Sequence, residues 1–533
     1  MAFVAAMDTT TTENGALAYN STQNPFLDMF FQLVRSTTSE GMKEMIGKIS
    51  RDKSFVYDGK EYFNNDFFNR MLVYTRNVRG GVGERDLAYY MMMYLLSEED
   101  FQSVDVLLPY FGHFGYWKDY MNMIKMAKED KTFNINEGSA HNFIRRVVNF
   151  YCDALKTDLD KVVAASGDEK PSISLAAKWC PSDRDAIDKK YHILDKFAFR
   201  MASLMGWETN DKTPTYYVRG LFRKQVISPL RKVIKVVETH MCEKEWSAIN
   251  YEAVPSKAMV RYTKAFNKND GVRFNDYKMG LVKGEKKVNF EAVYPHEIMN
   301  EYVNSYHPSL NEVAEAQMDG WRNKLMEMGK FGNAVSVVDV SGSMNGEPME
   351  VAVSLGVLIA SVANEPFRDT VITFDERPRF YNFGNENNWF GKVKRLMKAP
   401  WGMNTDFSAV FNLILSRAQT VGLSQSDMPE RIYVFSDMQF DEADSGYHTH
   451  FESIKKKYED AGYTLPQLIF WNLRSSSTNP NYPVTLLNTN VALLSGFSPA
   501  IIKAVLEVSD LSPMAVMIKA IMDPIYDVIE SVN

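Results

Sequence analysis

The chain has 533 residues, 45% hydrophobic and 24% charged, with a formal net charge of −7, a length that exceeds one core and implies two or three domains. No apolar run approaches the roughly 18 residues that span a bilayer, which argues against a membrane protein. Three scattered cysteines, Cys152, Cys180 and Cys242, without any CxxC, argue against a disulfide framework or zinc site and for a reducing, cytoplasmic setting.

In chain order, residues 1–24 lack a basic n-region and turn polar and Thr-rich, as expected of a flexible tail and not of a secretory signal. From Pro25 to about Lys330 apolar residues recur at helical spacing, as in "NPFLDMFFQLVRST", "ERDLAYYMMMYLLS" and "YWKDYMNMIKMAKE". Glycines and prolines punctuate these runs at "RGGVGE", "LPYFGHFG" and "CPSD". Further helices are expected over Asn142–Lys156, Arg184–Met205 and Gln225–Cys242. Helices joined by short loops imply stacked pairs, a HEAT-like solenoid or horseshoe over 25–330, although no sequence period repeats. The thirty methionines suit irregular helical cores.

One stretch inside this acidic protein is basic: Lys212 to Lys287 holds 17 Lys/Arg against 7 Asp/Glu, a balance of +10. Such a stretch is either an anion-binding face or a set of lysines solvating helix surfaces.

After Phe331 the grammar changes to short β-rich runs alternating with helices. Strands are expected at 334–340, 370–374, 379–382, 431–436, 467–473 and 490–494, and helices at 347–363, 389–398, 406–418 and 450–461. The alternation implies a doubly wound α/β domain with a mostly parallel sheet over 331–496. Continuous apolar strands fit a sheet covered on both faces. A helical extension, 497–533, is broken near Pro513 and Pro524 and closes the α/β layer or packs back on the helical part.

The stretch "NAVSVVDVSGSMNGEP" places Asp339 at the end of the first strand, with Ser341 and Ser343 on the loop that follows. Ligands of open α/β sheets sit beyond the carboxyl ends of the strands. "WGMNTDF" puts Thr405 before a helix, and "RIYVFSDMQFD" puts Asp437 after another strand. Three loops thus bring carboxylate and hydroxyl oxygens to one rim. They are hard ligands suited to Mg²⁺, or to Ca²⁺ or Mn²⁺, with a position left for water or an incoming carboxylate. The alternative is hydroxyls that merely cap the next helix.

These residues resemble the metal-ion-dependent adhesion site of von Willebrand factor A domains: the DxSxS motif is complete in "DVSGS", and Thr405 and Asp437 follow in order. One departure is Gly402-Met403-Asn404 before the threonine, where many such domains carry two glycines. The whole chain, through "NPFLDMFFQLVR", "NVRGGVGERDLAYYMM", "YFGHFGYWKDY", "INYEAVPSKAMVRY" and "VYPHEIM", is similar to the Ro autoantigen with its helical TROVE module. The resemblance covers roughly 25–510. It implies a ring of helical repeats closed by an A domain that binds small noncoding or misfolded RNA. Under it Arg219, Arg223, Lys224, Arg231, Lys232 and Lys235 become RNA-binding candidates, with Tyr216, Tyr217 and Phe222 as surfaces for unpaired bases. Aromatics at helical spacing otherwise belong to the core.

Other motifs carry less. His448 and His450 lack a third ligand. "VRGGVGER" lacks the GK[ST] ending of a phosphate loop and a preceding strand, so a turn is the expectation, with Arg79 and Arg85 available to an anion. No nucleophile elbow or hydrolase-ordered Ser, acid and His appears. The expectation is a non-enzymatic ribonucleoprotein component. The alternative is a metal-dependent scaffold that captures a partner's Asp or Glu.

Overall fold

The computed structural model describes residues 9–165, 171–183, 185–210, 212–234, 236–304, 308–374, 378–398, 406–441, 450–475 and 481–529. The protein mixes helix and sheet, with a helical N-terminal region and a six-stranded, mostly parallel sheet in the C-terminal part. It divides into two compact units, Met1–Leu87 with Asn250–Asp527, and Ala88–Ile249 with Val528–Asn533.

In the first unit, strands β1 (Thr9–Thr11) and β2 (Leu17–Tyr19) form an antiparallel hairpin. Thr12 Oγ1 donates to the Phe440 carbonyl (2.7 Å), Asn14 Nδ2 donates to that of Gln439 (2.8 Å), and Tyr19 pairs with Tyr482. The expectation of a flexible tail over 1–24 is corrected from Thr9 onward. The reason is that this segment finds its partners more than 400 residues away, where no local pattern shows them. A helix over Pro25–Phe31 follows, with Asn24 Oδ1 accepting from the amides of Phe26 and Leu27 and Pro25 starting the first turn. Helices Ser39–Gly47 and Asn64–Arg76 flank a second hairpin, β3 (Ser54–Tyr57) with β4 (Lys60–Phe63).

The sheet is built from β5 (Ala334–Asp339), β6 (Thr370–Phe374), β7 (Arg379–Asn382), β8 (Arg431–Ser436), β9 (Gln467–Asn472) and β10 (Val491–Ser495). Their spatial order is β10-β9-β8-β5-β6-β7, parallel throughout except for the β6–β7 edge pair. Each strand lies within one or two residues of its expected place. Every residue of β5 and of β10 is buried, as continuous apolar strands require when both faces are covered. Pairing aligns Val337, Val434 and Phe470 on one face, where Phe407 stacks on Phe470 and Phe440. The other face takes the helix Glu347–Ala360. There a Cβ on Gly356 would come 2.4 Å from Val338 Cγ2, so the helix lies against the strand. The chain leaves β5 toward β6 and returns to β8 on β5's other side, which puts the reversal of strand order between β5 and β8.

The first turn of that helix is also tied to the N-terminal region. Arg35 pairs with Glu84 (3.0 Å) and with Glu347, and its guanidinium lies 4.9 Å from the centre of the Phe497 ring. Buried His296 stands 3.7 Å from Glu347 and stacks on Tyr294. The "RGGVGE" segment is the turn expected. Gly83 has φ +75°, and a Cβ there would meet Tyr294 Oη at 1.9 Å, so only glycine fits. At the C-terminus Pro513 does not break a helix but begins one, Pro513–Ile521, capped by Ser512. Tyr526 Oη then accepts from Asn77 Nδ2 (2.9 Å).

The second unit centres on the helix Glu137–Ala164, longer than expected. Trp117, Tyr120 and Phe197 pack edge to face on Tyr151 of this helix. The expected helix Arg184–Met205 is instead Ala186–Tyr191 and Ile193–Met205, parted by His192 at φ +51°. Gln225–Cys242 is likewise divided, with a π-turn at Arg223–Ile227, then Ser228–Ile234 and Val237–Glu243. Cys152 and Cys180 are buried, and burial pushes the Cys180 thiol up to about 12, far from a reactive thiolate.

Candidate metal centre and nucleic-acid face

Asp339 ends β5 and Asp437 follows β8, so the carboxylates emerge from adjacent strands at the sheet's carboxyl edge. Asp339 is fully buried and Asp437 nearly so. Asp339 Oδ1 accepts from the Ser341 amide (2.9 Å), and its Oδ2 accepts from Ser436 Oγ (2.6 Å). Ser341 Oγ and Ser343 Oγ lie 3.1 Å apart, and the Ser343 hydroxyl reaches Asp437. The DxSxS loop and the second strand end thus meet, and four of the five expected ligands share one cluster. Thr405 lies outside the described residues.

The cluster is electrostatically incomplete. Burial and the neighbouring Asp437 charge push the Asp339 carboxyl up to about 7, against the hydrogen bonds from Ser436 and Ser341. Burial also raises Asp437, opposed by the Ser343 hydroxyl and the Arg474 guanidinium. Two dry carboxylates beside two hydroxyls are the donor set of a hard cation, which would let both ionise. Among the described residues no group of three or more His, Cys, Asp and Glu is arranged to hold a metal.

Three contributors escaped the sequence reading. Ser436 fixes one Asp339 oxygen. Arg474, two residues beyond β9, donates to the Ser343 carbonyl. The N-terminal hairpin reaches the rim through the Glu13 amide, which donates to Gln439 Oε1 (2.8 Å). The rule that located Asp437 also points to the end of β9, where "LIFWNLR" holds Arg474. Nothing local pointed to Glu13.

The basic candidates all lie in the second unit, where they fall into two groups. Arg219 is bound to Asp195 (2.5 Å), Asp188 (2.9 Å) and Asp183 (3.4 Å), so its half-buried guanidinium is already paired with three carboxylates. Arg231 donates to the carbonyls of Ala177 and Cys180, closing the end of the helix Ala176–Trp179. Phe222 is core, 1% exposed. Arg223, Lys224 and Lys232 are exposed and make no ion pair among the described residues. Tyr216 and Tyr217 are 78% and 52% exposed, on the helix Thr215–Phe222 that leads into the π-turn bearing Arg223 and Lys224. Gly220 between them has open space where a Cβ would stand. Lys235, His448 and Thr405 fall outside the described residues, and the side chain of His450 is likewise not described. Arg85 pairs with its neighbour Asp86.

Two family models match the chain. A domain of unknown function (DUF2828) matches residues 12–146 and 140–332, and another (DUF7788) matches 333–521. The chain is also similar to Uncharacterized protein L728 of Acanthamoeba polyphaga mimivirus, 30% identical over 546 residues, which span 98% of this chain and 89% of that protein.

Proposed function

The chain belongs to the DUF2828 family, and we propose that it is a non-enzymatic RNA-binding protein of Ro-like type whose α/β part is a von Willebrand A-like domain holding Mg²⁺ or a similar hard cation. The observation that carries the RNA reading is the exposed pair Tyr216 and Tyr217 beside Arg223, Lys224 and Lys232. A buried aromatic would read as core, but two exposed rings followed by cations that make no ion pair among the described residues offer stacking planes and phosphate contacts together. π-turns concentrate at functional sites. Gly220, which weakens an exposed helix by about 1 kcal/mol relative to alanine and packs on nothing, leaves room for a base to approach. The ligand this face suits is unpaired RNA.

Fluorescence anisotropy with a labelled single strand and with a blunt duplex tests the reading. The single strand is expected to bind more tightly. Three phosphate contacts give a salt slope of about −2, from roughly −0.7 per contact. Replacing Tyr216 and Tyr217 by alanine is expected to cost about 1–3 kcal/mol for each base stacked. Equal binding by that variant overturns the assignment.

A second reading rests on a different observation, the two buried carboxylates with Ser341 and Ser343 at the sheet rim. There Asp339, Ser341, Ser343, Thr405 and Asp437 would hold the cation, which supplies an open coordination position for a partner's Asp or Glu. Arg474 beside them offers a second contact to an incoming carboxylate. Asp339→Ala abolishing capture of a partner protein while sparing RNA binding would assign the two activities to separate places.

A further inference from the structure

The end of the basic stretch lies in the first unit and belongs to neither place described above. Its helix, Gly271–Val282, turns Phe274, Tyr277 and Leu281 into the core, and Phe274 packs on Phe266 of the helix Ser256–Asn269. Residues advance about 100° each around a helix, which puts Val272, Met279 and Val282 on the opposite side. That side is normally polar, yet these three are 83%, 49% and 66% exposed. Apolar side chains grouped on an outer face mark an interaction surface. The charges single out the same face. Of the cations from 271 to 286, Arg273 pairs with Asp270, Lys278 with Glu312 and Lys286 with Glu252. Lys283 is left over, exposed on the apolar side. Asp276 is exposed beside it, and neither makes an ion pair among the described residues. Seven residues separate them, about 10.5 Å along the axis, too far for them to pair with each other.

We propose that this face docks on a second copy of the chain, helix against helix and antiparallel, about a two-fold axis beside Met279. With the axis between residues 279 and 280, Asp276 and Lys283 each lie about 5 Å from it along the helix, on opposite sides. Asp276 of one copy then comes level with Lys283 of the other, and the symmetry makes the pair twice. Both residues flank the same edge of the apolar stripe, so the two pairs close one side of the contact. Met279 meets its own copy at the centre, with Val272 and Val282 widening the apolar area. Oppositely directed helix dipoles favour the same arrangement. A wholly acidic or wholly basic partner suits the face less well, because it offers one charge of each sign. The face of one short helix falls below the roughly 1,200 Å² of a stable interface, so the dimer is a weak one that forms at micromolar concentrations.

Sedimentation velocity on the full chain, without RNA and with a metal chelator, tests this. A concentration-dependent monomer–dimer equilibrium is the expected result. Asp276→Lys and Lys283→Asp each set like charges against each other across the axis and are expected to weaken the dimer about tenfold or more. The two substitutions together are expected to restore it. Met279→Glu is expected to abolish it. Denaturation midpoints matching the parent chain separate lost docking from lost folding. Met279→Cys, in a Cys242→Ser background that removes the exposed native thiol, is expected to oxidise to a disulfide-linked dimer. Val272→Cys in the same background is expected to stay monomeric on a non-reducing gel, because the antiparallel register holds it about 22 Å from its copy along the axis. A monomer at every concentration, a weakening that the double swap does not reverse, or cross-linking of Val272→Cys as fast as Met279→Cys overturns the proposal.

Discussion

Replacing Asp339 by asparagine separates a structural carboxylate from a metal ligand. Without a metal, burial and the neighbouring Asp437 charge push the Asp339 carboxyl up to about 7, from an ordinary value of 3.8. At 1.36 kcal/mol per unit, keeping it ionised when folded costs on the order of 4 kcal/mol. A carboxyl whose folded pKa is raised contributes fully only below its unfolded value and loses that contribution as pH rises through the folded value. The metal-free wild type is therefore expected to lose stability between about pH 4 and pH 7. The asparagine variant keeps the shape and an acceptor for the Ser341 amide but carries no charge, so of the pair only Asp437, whose carboxyl burial also raises, still costs it stability as pH rises; its loss over this window is smaller, and above pH 7 it exceeds the wild type without metal. Adding Mg²⁺ at a hundredfold excess over its dissociation constant stabilises the wild type by about 2.7 kcal/mol and leaves Asp339→Asn unmoved. Urea denaturation at pH 5 and pH 8, with and without Mg²⁺, measures all four terms. If the asparagine variant is the less stable one at pH 8 without metal, or if Mg²⁺ stabilises both proteins alike, the metal reading fails.

Other expectations rest on packing. Phe222→Ala should cost about 3–5 kcal/mol, as a large core truncation does, while Tyr216→Ala should stay within about 0.5 kcal/mol; denaturation midpoints distinguish the core ring from the exposed one. Gly83→Ala forces a Cβ onto Tyr294 Oη at a backbone conformation closed to most side chains, and a loss of about 2 kcal/mol or more is expected by thermal denaturation. Arg219→Ala leaves Oδ2 of buried Asp188 without the guanidinium, its other oxygen still bonded to the Leu194 amide, and should cost about 1–3 kcal/mol, so any fall in RNA affinity would track unfolding, whereas Arg223→Glu with Lys224→Glu should lower affinity with stability unchanged.

What could be read from the residues and what could not divide along a physical line. The strands of the sheet were legible because most are unbroken apolar runs of five or six residues between turn signals, and the meeting of Asp339, Ser341, Ser343 and Asp437 was legible because adjacent strands deliver their carboxyl ends to one rim. The ion pairs of Arg219 were not legible, because Asp183, Asp188 and Asp195 fold back onto it without leaving a periodic trace. Tyr216 and Phe222 have the same helical grammar, and only burial tells the exposed ring from the core one. The Thr9–Tyr19 hairpin was invisible, since this polar segment is held by partners in the loop after β8. The helix break at His192 depends on a single backbone conformation, which hydrophobic spacing does not encode.

The two family matches abut at residues 332 and 333, yet the compact unit runs across that seam. Asn472 Nδ2 and Ser495 Oγ, at the ends of β9 and β10, donate to the carbonyls of Phe31 and Phe30, and Tyr482 pairs with Tyr19. Glu347 in turn answers to Arg35. A gene fragment cut at the seam would leave Asn472 and Ser495, both buried at the sheet's carboxyl edge, without the carbonyls they bond. The similarity to the viral protein likewise runs across the seam, over 98% of this chain.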